Sequence, residues 1–242
     1  MRLDKFLVDC AVGSRSQVKA ILKKKEVQVN GQIESSPKRQ IDEKKDRVTL
    51  AGQLLKHETF VYYLLNKPQG VVSATEDSQH QTVLDLLDEL AHQKQVFPVG
   101  RLDIDTTGLL LLTNNGPLAH AMLSPKKHVA KVYQAKVEGL MTDEDVVAFG
   151  QGIRLKDFVC RPAQLQILES DQAQGSCLVQ IEIAEGKFHQ VKRMVASRGK
   201  KVLELKRISM GPLHLPHDLS EGHYRRLSAQ ELADLSGFHV DL

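Results

Sequence analysis

The stretch that most constrains the fold is a polar loop that leads directly into four leucines. Residues 100–113 read GRLDIDTTGLLLLT. A short apolar run flanked by turn residues predicts a fully buried strand. The loop before it carries one arginine and two acids, and a strand fixes the exit of such a loop while its carboxylates stay accessible. The sequence therefore predicts a buried sheet with a candidate site at the entrance to one strand.

The two acids of this loop have three interpretations from spacing alone. Asp103 and Asp105 could accept hydrogen bonds from neighbouring amides in a turn. Acids two residues apart could also ligate a divalent cation, as in a metal-dependent phosphodiesterase. The third interpretation is a catalytic carboxylate. Spacing by itself favours the turn.

Composition places the chain among ordinary globular proteins. Of its 242 residues, 41% are hydrophobic and 26% are charged, which allows a core and is not typical of a disordered chain. Cys10, Cys160 and Cys177 lack the spacing of a zinc or redox motif, so we expect no metal site. The N-terminal residues include acids rather than an apolar signal core, and no apolar run approaches membrane-spanning length. We expect a soluble cytoplasmic protein that does not contact membranes.

Positive charge is concentrated at the start of the chain. Residues 1–59 contain 13 Lys and Arg against 8 Asp and Glu, a balance of +5, whereas the remaining residues carry −2. Such a segment suits a phosphate backbone, because neutralising phosphates releases counterions. A basic surface that only aids solubility fits the charge equally well.

The N-terminal segment has the pattern of two short helices followed by a hairpin. Apolar residues recur at helical spacing in RLDKFLVDC. Ser14 and Gln17 have the spacing of a capping box at the start of a second, basic helix. The alternating residues VQV and the Asn30-Gly31 turn then predict a hairpin.

This order of elements resembles the alpha-L RNA-binding module of a small-subunit ribosomal protein and several RNA-modifying enzymes. The matching stretches are RLDKFL and SRSQVKAILKKKEVQVNG. We expect this domain over residues 1–52 and a linker over residues 53–59. In that family, the basic face of the second helix lies on RNA phosphates. The RNA-binding residues implied here are Arg2, Lys5, Arg15, Lys19 and Lys23.

The rest of the chain has the pattern of a sheet with flanking helices. Residues 60–65 predict a buried strand that stops at Asn66-Lys67-Pro68. Residues 131–138 and 176–183 alternate between apolar and polar, as half-buried strands do. Strands predominate over helices, and their connections are too short for regular parallel crossovers. We predict an α+β fold in which this sheet is mixed and mainly antiparallel.

Three local signals predict boundaries within this second part. Thr82 with Asp85 indicates the start of a helix that extends to residue 90. Asn115-Gly116 indicates a turn after the four leucines. The stretch HQVKRMVASRG predicts a helix with one mostly apolar side, followed by a strand. Its basic residues, which fit a solvated face as well as a functional one, are His189, Lys192 and Arg193.

Four separated segments resemble the motifs of the RsuA/RluB-type pseudouridine synthases. They are LLNKPQGVVSAT at residues 64–75, GRLDIDTTGLLLLT at 100–113, KVYQAKVEG at 131–139 and EGKFHQVKRMVASRGKKVLELKRISMGPLHL at 185–215. With the N-terminal module they cover nearly the whole chain in family order. The resemblance implies a catalytic domain over residues 60–242 and an isomerase that converts a uridine of ribosomal RNA to pseudouridine without a cofactor.

The resemblance also implies roles for individual residues. Asp103 corresponds to the catalytic aspartate, and Lys192 to the basic residue that pairs with it. Many members have arginine there, so the lysine provides a point charge in place of a planar fork. Tyr133 corresponds to the residue that stacks on the target base and Leu205 to the apolar floor of the uracil pocket, although both also fit a core strand. The substrate-binding residues implied are Arg101, Tyr133, Lys192, Arg193 and Leu205.

The residues of these motifs are most similar to those of the branch of the family that acts on small-subunit (16S) RNA. We therefore expect ribosomal RNA as the partner, either bare or within an assembling small subunit, and a monomeric enzyme. Three alternatives stay open. They are a large-subunit RNA substrate, a non-catalytic RNA-binding assembly factor, and a metal-dependent phosphodiesterase that uses Asp103 and Asp105.

Overall fold

The polypeptide divides into two units, each with its own sheet. The computed structural model describes residues 1–10 and 12–242, and the units are Met1–Val61 and Tyr62–Leu242. The domain limits expected from the sequence, at residues 52 and 60, stay a prediction. No helix in the described ranges is long and apolar enough to cross a membrane.

In the described part of the first unit, two helices precede a four-stranded antiparallel sheet. The elements are α1 (Leu3–Asp9), α2 (Arg15–Lys23), β1 (Val27–Val29), β2 (Gln32–Ile33), β3 (Val48–Leu50) and β4 (Gln53–Leu54). The strand order is β2-β1-β3-β4. Both helices and the hairpin expected from the sequence are present. The linker expected at residues 53–59 is wrong at its start, because a turn with positive φ at Ala51 and Gly52 lets β4 pair with β3.

Capping and burial define the elements of this unit. The hydroxyl of Ser14 accepts a hydrogen bond from the Gln17 amide, and the Gln17 side chain accepts one from the Ser14 amide. This reciprocal pair begins α2. Apolar side chains of α1 and α2, including Leu7, Val18 and Leu22, pack into a single core with residues of the sheet. The basic side of α2 is left exposed.

In the described part of the second unit, nine strands form one mixed sheet. The strands are β5 (Tyr62–Lys67), β6 (Phe97–Pro98), β7 (Thr106–Thr113), β8 (Lys131–Glu138), β9 (Gln164–Asp171), β10 (Ser176–Ile183), β11 (Lys201–Met210), β12 (Leu213–His214) and β13 (Tyr224–Arg226). The helices are α3 (Glu89–Gln93), α4 (Gly116–Leu123), α5 (Asp143–Gln151), α6 (Gln190–Ser197) and α7 (Ala229–Leu235).

The order of these strands confirms the predicted fold class. They run β13-β5-β7-β11-β8-β10-β9, with β6 beside β7 and β12 beside β11. Among the described pairs, β7 with β11 is the one parallel pair. The four leucines 109–112 lie in β7 at the centre of the sheet and are completely buried. The fold is therefore α+β with a mainly antiparallel sheet.

Two local predictions in this unit are wrong for identifiable reasons. Thr82 and Asp85 do exchange the two bonds of a capping box. No helix begins there, however. Thr82 forms a bridge with Val72, and the helix begins only at Glu89, after Asp88, whose carboxylate accepts a hydrogen bond from the Ala91 amide. Asn115 caps α4 rather than forming a turn, since its side-chain oxygen accepts a hydrogen bond from an amide in the first turn.

A buried ion cluster joins α5 to the end of α6 and the start of β11. Asp145 is 1% exposed and lies 2.7 Å from the Arg198 Nε atom and 2.8 Å from the Lys200 Nζ atom. Its carboxylate also accepts a hydrogen bond from the Thr142 amide. Burial alone would raise the pKa of Asp145, but the bonds from Lys200 and Arg198 outweigh it and lower the pKa to about 2.

We expect Asp145→Ala to lower the free energy of unfolding by about 3 kcal/mol, because it leaves two cations without their buried partner. Asp143→Ala, at an exposed position of the same helix, is the control and should cost a few tenths of a kcal/mol. Urea unfolding measures both. Since the folded pKa lies below the unfolded one, the stabilisation is present above pH ~4 and is lost as the pH falls toward 2. Equal costs for the two variants would contradict this account.

Candidate active site

The polar loop at residues 100–105 is held by hydrogen bonds from the segment that follows β5. The hydroxyl of Ser73 donates to the carbonyl of Leu102 over 2.9 Å and accepts from the Leu102 amide over 3.0 Å. The amide of Gly70 donates to the carbonyl of Ile104 over 2.8 Å. These bonds fix the backbone on both sides of residue 103.

Lys67 supports the same loop from the end of β5. Its side chain is completely buried, and its ammonium donates to the carbonyls of Pro68 and Thr106 over 3.0 and 2.9 Å. Burial lowers the pKa of Lys67 to about 8, although the nearby carboxylates of Asp105 and Asp103 oppose that shift. The prediction that β5 stops before this residue is wrong. The available signal was a lysine separated by one residue from the apolar run at residues 60–65.

Gly108 allows β7 and β11 to pair at the exit of the loop. It lies opposite Arg207 in the parallel register and has a φ of +98°. A Cβ atom at this position would lie 2.3 Å from the carbonyl oxygen of Arg207. Any larger residue would therefore force the two strands apart.

Asp103 lies in a cluster of charged side chains at the end of this loop. The Nζ atom of Lys192 lies 2.9 Å from Oδ2 of Asp103 and 2.6 Å from Oδ1 of Asp105. The Nε2 atom of His189 lies 3.5 Å from Oδ1 of Asp103. The side chain of Asp103 is 30% exposed. The carboxylate is therefore paired with a cation and still reachable from solvent.

The opposite charges of Lys192 and Asp105 shift each other's pKa toward the charged form. Burial by itself would lower the pKa of Lys192, but the hydrogen bonds to Asp105 and Asp103 outweigh it and raise the pKa. The bond from Lys192 in turn holds the pKa of Asp105 below its usual range. Lys192 is thus protonated at neutral pH and presents a fixed positive charge between two carboxylates.

The start of α6 presents an exposed aromatic pair next to Asp103. His189 caps the helix with a left-handed backbone, at a φ of +49°. The ring of Phe188 stacks on the His189 ring, with centroids 3.7 Å apart and 19° between the planes. Phe188 is 75% exposed, which is unusual for so large an apolar side chain. Sequence reasoning missed this residue, although an aromatic side chain within the polar stretch EGKFHQ was a signal.

Tyr133 and Leu205 lie on one face of the sheet beside β7. Leu205 is opposite Thr106 of β7 and Ala135 of β8, and Tyr133 is opposite Arg207. Residues that are opposite each other, or two positions apart on one strand, share a face. Tyr133 and Leu205 are 8% and 6% exposed. The Thr106 hydroxyl on this face is buried and has no hydrogen-bond partner among the described residues.

Arg193 and Arg101 are placed differently from Lys192. Arg193 pairs with Asp157, and its guanidinium lies 5.2 Å from the centroid of the Phe158 ring. It thereby ties α6 to the loop between α5 and β9 rather than reaching Asp103. Arg101 is exposed on the polar loop. Within residues 1–10 and 12–242, no group of three or more His, Cys, Asp or Glu side chains is arranged to hold a metal ion.

The basic residues of the first unit fall into two sets. Arg2 pairs with Asp4 over 2.6 Å, and Lys5 lies 3.7 Å from Asp9. The other set lies exposed on α2 and has no acid within 4 Å in the described part of the chain; it consists of Arg15, Lys19 and Lys23. The positive charge of the second set is therefore less neutralised by nearby acids than that of Arg2 and Lys5.

Comparison with known proteins identifies the family. Residues 61–197, more than half of the chain, match the RNA pseudouridylate synthase family, and residues 1–48 match the S4 domain. The chain belongs to the RNA pseudouridylate synthase family. This pseudouridine synthase is 43% identical to the uncharacterized RNA pseudouridine synthase YtzG of Bacillus subtilis, with 96% of this chain and 97% of that protein covered.

Two further relatives extend the match over almost the full length. The ribosomal small subunit pseudouridine synthase A of Yersinia pestis is 39% identical, with 99% of this pseudouridine synthase and all of that protein covered. A crystal structure of a pseudouridylate synthase superposes with a TM-score of 0.67 at 36% identity, covering 97% of this chain and 99% of that one. The predicted family, N-terminal RNA-binding module and isomerase class are confirmed, and the non-catalytic alternative is not supported.

Proposed function

We propose that this pseudouridine synthase isomerises a uridine of small-subunit (16S) ribosomal RNA, with Asp103 as the essential carboxylate and the target nucleotide flipped out of its helix. The name of the Yersinia pestis relative, at 39% identity, supports the choice of RNA. One observation supports the choice of Asp103 as the essential carboxylate. The Asp103 carboxylate lies on a hydrogen-bonded loop, 2.9 Å from Lys192, and remains 30% exposed.

The reaction exchanges one glycosidic bond for another. The N1–C1′ bond breaks, the uracil turns, and a C5–C1′ bond forms, while C5 loses a proton and N1 gains one. Composition and oxidation state are unchanged. A carboxylate beside the sugar can attack C1′, remove the C2′ proton or stabilise positive charge on the sugar. Each role uses the carboxylate form of Asp103, and the ammonium of Lys192 lies 2.9 Å from it as a counter-charge.

The nucleotide has to leave its helix because C1′ is inaccessible within the base stack. Flipping costs ~ a few kcal/mol, and contact with aromatic side chains offsets part of that cost. Tyr133 contributes an aromatic ring on the sheet face that also carries Leu205. The exposed Phe188 and His189 pair contributes a second aromatic surface beside Asp103.

The basic surface of α2 is proposed to bind RNA phosphates. We expect a triple variant, Arg15→Gln with Lys19→Gln and Lys23→Gln, to weaken RNA binding and to reduce the slope of log affinity against log salt by ~0.7 for each phosphate that is no longer neutralised. The matched control is Lys38→Gln with Lys44→Gln and Lys45→Gln, which removes the same charge from another exposed segment of this unit. If both triple variants changed the slope equally, only overall charge would matter.

Mapping of pseudouridines in ribosomal RNA tests the substrate. Deletion of the gene is expected to remove one pseudouridine from 16S RNA, and the plasmid-borne gene is expected to restore it. Loss from large-subunit RNA alone would assign the enzyme to that subunit and contradict this part of the proposal. An unchanged map would contradict both assignments.

The metal-dependent phosphodiesterase is separated by a second measurement. Purified enzyme acting on a short, pre-folded RNA in excess chelator should form pseudouridine and leave the RNA intact. If chelator abolished turnover while RNA folding and binding persisted, or if the RNA were cleaved, the interpretation of Asp103 would have to change.

A further inference from the structure

Lys131, at the start of β8, is a buried cation without an acidic partner. The residue is 8% exposed, and its ammonium donates a hydrogen bond to the carbonyl of Val129 over 2.9 Å. No carboxylate lies within 4 Å of it in the described part of the chain. An ammonium has three donors, and burying it without a counter-charge is costly.

A second buried cation lies close to Lys131. Arg207 is 2% exposed; its Nε atom donates to the carbonyl of Leu109, and its Nη2 atom is buried without a partner among the described residues. Burial and the charge of Arg207 lower the pKa of Lys131 to about 8. Neither cation has a carboxylate within 4 Å among the described residues, so together they create a positive potential inside the domain.

Lys131 lines a cavity of about 380 Å³ whose walls are mostly basic or apolar. Exposed Arg161 and Lys187 lie at its edge, and Lys187 also lies 5.9 Å from the centroid of the Phe158 ring. Glu185 is the one acid among the described lining residues, and its carboxylate already accepts hydrogen bonds from the Arg161 amide and the Gln190 side chain. A cavity with this charge suits a single anion that can accept several hydrogen bonds.

The cavity lies next to the proposed base site. Lys131 and Tyr133 are two positions apart on β8 and thus share a face, about 7 Å apart along the strand. An RNA whose uracil contacts Tyr133 would bring its own backbone within reach of Lys131. Free anions could enter as well, but the position beside Tyr133 favours a phosphate that is covalently attached to the target nucleotide.

We propose that the cavity lined by Lys131, Arg161 and Lys187 binds one backbone phosphate of the RNA near the flipped uridine. This inference rests on the proposed function, since it takes the Tyr133 face as the base site. The phosphate would complete the hydrogen bonds of the Lys131 ammonium and offset the buried charge. Lys131 is thereby a substrate-binding residue and takes no part in bond breaking.

The test is a scan with neutral linkages. Oligoribonucleotides that carry the target uridine are made with a single methylphosphonate between 2′-deoxynucleotides at each position in turn. For the wild-type enzyme, one linkage near the uridine should weaken affinity about tenfold. For Lys131→Met, affinity for the natural RNA should fall about tenfold, and that linkage should then have no further effect. Lys136→Met, at an exposed position of the same strand, is the control and should behave like wild type.

Two structural explanations are tested in parallel. If Lys131 only supports the Val129 carbonyl, Lys131→Met lowers the unfolding temperature and leaves the linkage effect intact, which overturns the proposal. If Lys131→Met does not fold, the double variant Arg161→Gln with Lys187→Gln is used, and loss of sensitivity at the same linkage is the supporting result. Retained sensitivity in that variant overturns the proposal.

Two further arms identify the source of the anion and separate this inference from the proposed function. Binding of inorganic phosphate is measured for wild type and for Lys131→Met. If phosphate binds only wild type, and if no methylphosphonate linkage has an effect that depends on Lys131, the cavity binds free anions and the proposal is overturned. Wild-type turnover is measured on the same RNA. Its absence contradicts the proposed function, whereas turnover without linkage-specific coupling contradicts this inference alone.

Discussion

Asp103→Asn is expected to reduce pseudouridine formation by about 10⁴-fold or more, the size of effect seen when an essential catalytic side chain is removed. The substitution keeps the shape of the side chain and removes its charge. Asparagine can neither attack C1′ nor take a proton as the carboxylate can. Single-turnover assays with enzyme in excess over RNA measure the loss at the chemical step.

Asp105→Asn is the matched control for that variant, because Asp105 pairs with the same ammonium of Lys192 over 2.6 Å. We expect it to retain most of the wild-type rate and Asp103→Asn to bind RNA with near wild-type affinity. If Asp105→Asn were the inactive variant and Asp103→Asn kept substantial turnover, the two carboxylates would have to exchange roles.

Lys192→Met is expected to lower the rate of pseudouridine formation by about 10³-fold, the second largest effect. The change removes the ammonium that lies within hydrogen-bond distance of both Asp103 and Asp105, so the two carboxylates would lose their shared counter-charge. Like charges at short range raise a carboxyl pKa. The pKa of Asp105, which the bond from Lys192 holds below its usual range, should therefore rise in this variant, so the pH profile of the remaining activity should differ from that of wild type.

Lys192→Arg distinguishes a positioning role from a structural one. An arginine keeps the positive charge and can form a planar, bidentate bond with a carboxylate. We expect it to recover most of the activity with a pH profile like that of wild type. If Lys192→Met lost activity through unfolding, or if its pH profile did not move, the electrostatic role assigned to Lys192 would be wrong.

The sequence predicted the elements whose signal is local. The capping box of Ser14 and Gln17, the Asn30-Gly31 hairpin and the alternating strands β8 and β10 depend on residues close in the chain, and all are present. The prediction fails where a residue distant in the chain determines the local structure. Thr82 pairs with Val72, ten positions away, and the helix that the Thr82 signal alone would favour begins only at Glu89.

Long-range partners also explain what sequence reasoning missed in the site. Lys67 looked like the end of a strand, but the carbonyls it binds come from segments up to 39 positions away. Arg193 and Lys192 are adjacent in the same basic stretch, yet Arg193 pairs with Asp157 and Lys192 pairs with Asp103. Which basic side chain reaches the carboxylate depends on how α6 packs, and no periodicity in the sequence contains that information.

Release of tritium from 16S RNA labelled at C5 of uridine tests the central claim most directly. The C5–H bond is lost when C5 joins C1′, so each isomerisation releases one label. We predict one equivalent released per RNA molecule by the wild-type enzyme, none by Asp103→Asn, and none by either enzyme from large-subunit RNA. Release from 16S RNA by the Asp103→Asn variant at the wild-type rate, or no release by the wild-type enzyme from correctly assembled or bare 16S RNA, would contradict the account.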